Sequence, residues 1–301
     1  MALMWLAARW VAETQQPPRL TVLTVDHGLR PGSGVEAGWV VEQAQQAGFA
    51  AWVLEWRGDK PVTGVQARAR DARYELMMRW CREHGATALV TAHSLDDQAE
   101  TFLMRLARGS GVDGLAGMRA VREDAVAILR PLLGVTRARL RSTLVSAGHS
   151  WIEDSSNMDT RFERVRWRKT LEVLEQEGLA ATKIALSASR LERARQALEY
   201  AASRLEAQAV AHEGKHATFR LGEVQGEPEE LIVRLLQRLI MRYGEQGVTP
   251  QLSALERLSA WITAGDGGGR TLAGCRITRR QDKVRVGREP PRRHASGLPS
   301  R

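Results

Sequence analysis

The stretch "TALVTAHSLDDQAETFLMRLARG" at residues 87–109 decides how the chain is read. Its first six residues are apolar or β-branched and read as a short buried strand, whereas from Leu95 apolar residues recur at helical spacing until Gly109. Ser94 stands where an N-cap belongs, with Asp96 and Asp97 in the first turn, Asp97 at the capping-box position, and Arg105 and Arg108 near the far end. Asp96 and Glu100 are four residues apart and Asp97 and Glu100 three, so the carboxylates share one helical face, while His93 closes the strand. Two readings stay open from the spacing alone: acids that start a helix, or hard oxygen ligands that hold Mg2+ against a phosphate.

The same alternation extends on both sides. "LTVLTV" (20–25) and "AWVLEW" (51–56) read as further buried strands, with helices over "VEAGWVVEQAQQAG" (35–48) and "VQARARDARYELMMRWCREHG" (65–85). "AILRPLL" (127–133) reads as a strand or extended segment, and "TRARLRSTLVSAG" (136–148) as a helix stopped at Gly148. This βαβα order implies an α/β fold with a parallel sheet covered on both faces and a ligand site at the carboxyl ends of its strands, where His93 falls. Residues 1–180 are assigned to that domain, 181–213 to a helical connector with an apolar stripe, 214–289 to a small α/β domain with a strand, two helices and a hairpin, and 290–301 to a disordered Pro- and Arg-rich tail.

The chain has 301 residues, a formal net charge of +9 and a pI near 10.3, which fits a polyanionic partner. No apolar run reaches the roughly 20 residues of a membrane span and the opening lacks the order of a secretory signal, so a cytoplasmic protein is expected. Cys81 and Cys275 are far apart and form no CxxC pair, so buried free thiols are expected rather than a disulfide or a thiolate metal site. Nothing in the sequence decides between a monomer and a homodimer.

Taken together, "VDHGLRPGS" (25–33), "ARDARYELM" (69–77), "TAHSLDDQAETFLMRLARGSGVDGLAGM" (91–118), "RPLLGVTRARLR" (130–141) and "WIEDSSNMDTRFERVRWR" (151–168) resemble the tRNA(Ile)-lysidine synthetase family of PP-loop ATP pyrophosphatases. The resemblance is dense to about residue 170 and looser beyond. It implies ligation of free L-lysine to the wobble cytidine in the CAU anticodon of tRNA(Ile), with ATP adenylating the base first. It also implies that Mg2+ sits on Asp96, Asp97 and Glu100, that His93 or a carboxylate takes a proton from the lysine ammonium, and that Asp26, His27, Arg70 and Arg73 line the nucleotide side. "RFERVRWRK" (161–169), with five basic residues in nine, is expected to meet the tRNA through Arg161, Arg164, Arg166 and Arg168, with Phe162 and Trp167 for stacking; Arg279 and Arg280 are expected to add contacts from the small domain.

Val165 departs from the asparagine usual in the family, and Ser94 from a common histidine. The family's first strand and Ser-Gly-Gly phosphate loop are not found, since the first glycine is Gly28 and the chain opens within an amphipathic helix whose apolar face is expected to be Leu3, Leu6, Ala7 and Val11, with Trp10 alongside. A tRNA-binding form without catalysis is therefore one alternative. A related PP-loop tRNA thiolase is another, disfavoured because Cys81 lies inside a helix. Without a phosphate loop, residues 1–301 are expected to bind ATP weakly and tRNA well, a contrast that isothermal titration with each measures.

Overall fold

The computed structural model describes residues 1–290 apart from 31, 59, 61–63, 154–158 and 266. The tail from 291 and part of the "WIEDSSNMDT" motif lie outside the described residues. The chain divides into two compact units, Met1–Glu192 and Arg193–Arg301.

In the first unit the order is α1 (Ala2–Glu13), β1 (Thr21–Asp26), α2 (Ser33–Gln46), β2 (Ala50–Glu55), α3 (Val65–Glu83), β3 (Ala88–Val90), α4 (Leu95–Leu106), α5 (Val112–Leu115), β4 (Val121–Arg122), β5 (Ala127–Leu129), α6 (Arg137–Ser146) and α7 (Glu163–Gln176); α8 (Ala181–Ala209) begins here and runs into the second unit. β1 pairs with β2 in parallel, and β3 with β5 in parallel, with the two-residue β4 antiparallel at the edge. The two ladders are separate sheets rather than one continuous sheet. Side chains alternate as the pleat demands: Val22 and Ala51 pack on the α1 and α2 side with Met4, Ala44 and Phe49, while Leu23, Val25 and Leu54 join Met77 and Cys81 of α3. Leu89 of β3 belongs to that second cluster, so α3 spans both sheets. The inward face of α1 differs from the expected one: Met1, Met4, Trp5, Ala8 and Val11 pack with Ala7, whereas Leu6 and Trp10 are 36% and 50% exposed.

The second unit is a five-stranded antiparallel sheet, ordered β6 (Val210–Glu213), β7 (His216–Arg220), β10 (Lys283–Arg288), β9 (Cys275–Arg280), β8 (Gly268–Leu272), with the short α9 (Leu221–Val224) and the longer α10 (Glu229–Tyr243) and α11 (Leu252–Thr263). Leu235, Leu236, Leu239 and Ile240 of α10 and Leu255 and Ile262 of α11 are buried against Ala217, Phe219, Ile277, Val284 and Val286 of the sheet. The expected connector helix stops at Ala209, and residues 210–213 pair with β7 instead. β8 also went unread, because glycines 267–269 mask a strand whose partner lies beyond the Ala273–Gly274 turn, where both residues have positive φ as a two-residue hairpin requires. Gly244 is fixed by packing: a Cβ there would stand 2.3 Å from the carbonyl oxygen of Ala273. Both cysteines are free and buried, as expected.

Leu235, fully buried between helix and sheet, carries much of this second core. Leu235→Ala is expected to destabilise the unit by about 2–5 kcal/mol, read as a lower urea midpoint at unchanged slope.

Candidate active site

The carboxyl end of β3 leads through His93 into α4, and three other segments converge there. Ser94 is the N-cap in extended conformation, and the capping box forms in full: Asp97 Oδ2 accepts from the Ser94 amide and hydroxyl, both at 2.8 Å, and the Asp97 amide donates to Ser94 Oγ at 3.3 Å. Arg137, first residue of α6, donates from Nη2 to Asp97 Oδ1 at 3.2 Å and to Glu100 Oε1 at 3.3 Å, while its amide donates to Asp96 Oδ2 at 2.7 Å. From α7, Arg168 Nε donates to Glu100 Oε1 at 3.0 Å and Arg164 stands 3.8 Å from Asp97. Glu100 is fully buried, and its Oε2 has no hydrogen-bond partner among the described residues.

Charge explains the titration behaviour. Burial pushes the Asp97 carboxyl up, but the Ser94 hydrogen bonds and the charges of Arg137 and Arg164 outweigh it and hold the group below the usual aspartate range. His93, whose Nδ1 lies 2.9 Å from Thr91 Oγ1, is pushed down to about 4 by burial first and then by Arg70, with Asp97 opposing and Arg130 and Arg164 adding to the fall. Burial and Arg70 likewise lower Arg164. His93 is therefore a neutral imidazole at physiological pH.

The expected metal set stands partly engaged by protein groups. Asp97 has both oxygens engaged, Asp96 gives one oxygen to the Arg137 amide, and the Arg137 guanidinium bridges Asp97 and Glu100. Asp96 Oδ1 and the buried Glu100 Oε2 are left without hydrogen-bond partners among the described residues. These are the oxygens that would meet Mg2+, which commonly takes one or two carboxylates and completes its shell with phosphate and water.

The remaining expected residues divide. Arg70 joins the site through its charge on His93 and Arg164 and lies 5.3 Å from the Tyr74 ring, whereas Arg73 is exposed and, among the described residues, makes no bond to the cluster. Asp26 and His27 end β1 and shape the turn that follows it: Asp26 Oδ1 accepts from the Gly28 amide at 2.9 Å and Ser33 Oγ at 2.6 Å, and His27 Nδ1 accepts from the Leu29 amide at 3.1 Å. No bond links them to the α4 cluster among the described residues. Ahead of α7, Arg161 pairs with Asp159 at 2.6 Å, and from α7 Arg166 donates to the carbonyls of Thr160 and Arg161, so these two hold the loop that leads into the helix. Trp167 is half-buried and packs against Ala99, Leu103 and Ile184. Val165 is buried. In the second unit Arg279 turns toward the helices and donates to the carbonyl of Ile262, while Arg280 is exposed.

Arg137 and Arg130 were missed. Arg130 is 8% exposed, donates to the carbonyl of Arg119 at 2.8 Å and acts on His93. Arg137 carried a signal, since a cation in the first turn of a helix opposes the dipole and needs another reason to stand there. The glycine-rich loop after α4 is held by α4 itself: Gln98 exchanges two hydrogen bonds with Met118, and Arg105 donates to the carbonyls of Gly114 and Gly117. Gly117, with φ 73°, lies so near Gln98 that a Cβ would meet it at 2.8 Å.

A parallel α/β unit whose arginine-rich site sits at the end of a strand is the design of a nucleotide-handling PP-loop protein, and the PP-loop domain family matches residues 1–175. A tRNA(Ile)-lysidine synthase of a Bradyrhizobium species is 43% identical over 316 residues, spanning 97% of this chain and 88% of the relative; one from Rhodopseudomonas palustris is 40% identical with the same coverage. The chain belongs to the tRNA(Ile)-lysidine synthase family. The U34-tRNA thiolase NcsA from Methanococcus maripaludis shares the fold, with a TM-score of 0.54 over 64% of this chain and 69% of that one at 16% identity.

Because Asp97 titrates below its unfolded value, its contribution to stability is complete above about pH 4 and is lost as pH falls through the lower folded value. Asp97→Asn is expected to flatten this acid limb in urea unfolding between pH 2 and 5, and Ser94→Ala to cost about 1 kcal/mol at neutral pH.

Proposed function

We propose that this chain ligates lysine to the wobble cytidine of tRNA(Ile) bearing the CAU anticodon, in two steps. The 2-carbonyl oxygen of the base attacks the α-phosphorus of ATP and pyrophosphate leaves; the ε-amine of lysine then attacks C2 and AMP leaves with that oxygen. Family membership supports the reaction, and one feature of the site carries it. Five arginines, Arg70, Arg130, Arg137, Arg164 and Arg168, surround His93 and three carboxylates, Asp96, Asp97 and Glu100, so positive charge is in excess where phosphates must come.

The roles follow from availability. Arg164 and Arg70, both set against His93 and each other, are the guanidiniums suited to the triphosphate or the RNA backbone, while Arg137 and Arg168 are engaged by the carboxylates and position them. With a pKa near 4, His93 is unprotonated at neutral pH, so it can accept a hydrogen bond or a proton but has no imidazolium proton to give. Asp96 is the partly exposed carboxylate that keeps Oδ1 free of a hydrogen-bond partner among the described residues, and it is assigned to receive the proton from the lysine ammonium. Mg2+ arriving with ATP would meet the carboxylate oxygens left open here, Glu100 Oε2 among them, and would offset charge on the leaving pyrophosphate.

Sulfur transfer, the chemistry named for the thiolase neighbour, finds no support in the thiols. Cys81 and Cys275 are buried, and burial raises both, Cys275 to about 11.

Incubating the protein with ATP, labelled lysine and the CAU-anticodon tRNA should give label in the RNA; none from a folded, tRNA-binding protein would end this reading. Asp96→Asn is expected to slow lysine transfer by about 100-fold or more while ATP–pyrophosphate exchange continues, since general-base catalysis contributes on that order.

A further inference from the structure

Two arginines of the first unit are engaged by main-chain carbonyls instead of carboxylates. Arg105, two turns along α4 from Gln98, donates from Nη1 to the carbonyls of Gly114 and Gly117 at 2.7 and 3.0 Å. Arg130 follows directly on β5, is 8% exposed, and donates from Nη1 to the carbonyl of Arg119 at 2.8 Å; its amide donates to the carbonyl of Ala120, also at 2.8 Å. Between them Gln98 clasps Met118 through both ends of its amide. The carbonyls of Gly114, Gly117, Met118, Arg119 and Ala120 are thus all turned onto α4 and the end of β5. The fold of this segment is tight, since a Cβ on Gly114 would stand 2.5 Å from the Ser110 side chain. Among the described residues neither Arg105 nor Arg130 forms an ion pair, whereas Arg137 and Arg168 both meet Glu100. A carbonyl satisfies a guanidinium N–H without cancelling its charge. That charge is felt nearby: Arg70 acts on Arg105, Arg164 and His93, and Arg130 acts on His93 as well.

We propose that Arg105 and Arg130 are positioning residues, two uncompensated positive charges held near Arg70 and His93 by the carbonyls of segment 110–120, and that their charge retains a polyphosphate at the site. Gln98 gives the argument its control. A neutral carboxamide clasps the same segment with two hydrogen bonds, so holding the backbone alone does not call for a cation. Burying one costs free energy, and burial and the Arg70 charge both oppose the Arg105 cation. An anion that spans several guanidiniums relieves that cost, and linked phosphates carry enough charge to do so where a single carboxylate does not. The inference rests on the reading of the chain as an ATP-consuming ligase and deepens it: the triphosphate of ATP, or the pyrophosphate it releases, is the anion.

The test uses the full chain and inorganic tripolyphosphate as the probe, titrated calorimetrically over a salt series with neither tRNA nor lysine present. Arg105→Gln and Arg130→Gln, which keep a donor and lose the charge, are each expected to weaken binding about tenfold and to flatten its dependence on salt. Arg105→Lys and Arg130→Lys keep the charge and should stay within about threefold of the parent. Arg257→Gln, exposed on α11, should change nothing. In ATP–pyrophosphate exchange the Gln variants should raise KM for ATP about tenfold and lower kcat by less than about threefold, the pattern of lost binding. Affinity for the CAU-anticodon tRNA should stay at the parental value. Lys variants as weak as the Gln variants would make the two arginines braces for the segment and overturn the proposal. Parental tripolyphosphate affinity in both Gln variants would overturn it too, as would a parent that does not bind the probe. Should Arg130→Gln not fold, the half-buried Arg105 carries the comparison, Gln against Lys. Failure of the parent to incorporate lysine, with the probe affinities as expected, would count against the ligase reading alone.

Discussion

Glu100 has no access to water, and an ionised carboxylate in that position is tolerable only if positive charge is brought to it. Arg137 and Arg168 supply that charge from two helices remote in sequence, and in doing so fix the start of α6 and the first turns of α7 against α4. Arg108 adds a tie from the end of α4 to Glu163 at 2.6 Å. The capping box is built on the same network, because Asp97 faces Ser94 with one oxygen and Arg137 with the other. Removing one partner would strand a buried charge, so α4, α6 and α7 hold their places as a set.

That arrangement bears on both readings of the acidic helix start. Asp97 caps the helix, and Arg137 bridges it to Glu100, whose second oxygen is left without a partner among the described residues. The acids aim these guanidinium groups, and the excess of arginine makes the end of β3 attractive to anions.

Much of this was legible in the sequence. The strand–helix alternation gave β1, β2, β3 and their helices, and Ser94, Asp97 and Gly109 marked the ends of α4 because caps are local chemistry. The motifs that carry the resemblance pointed to His93, Asp96, Asp97, Glu100, Arg164 and Arg168, and these do meet. Pairings across the chain were not legible. The Arg137–Glu100 bond joins residues 37 positions apart, and no local pattern shows that this carboxylate will be met by that guanidinium. The inward turn of Trp167 and of Arg279 escaped for the same reason: composition marks a segment as basic and aromatic, but only packing says which side chains face solvent. β6 and β8 were hidden by a helical continuation and a run of glycines, and their strand character comes from the neighbour they pair with.

The two parallel ladders of the first unit share α3 but, among the described residues, no main-chain hydrogen bonds. Their alignment depends on side chains, with Met77 and Cys81 touching strand residues of both. Such a joint resists separation by packing density and gives way by shear, unlike a continuous ladder, which breaks bond by bond. Amides on the adjoining strands are thus poised to exchange with solvent as two groups with separate protection, and methionine, with its three rotatable side-chain bonds, is suited to keep contact through small displacements between them.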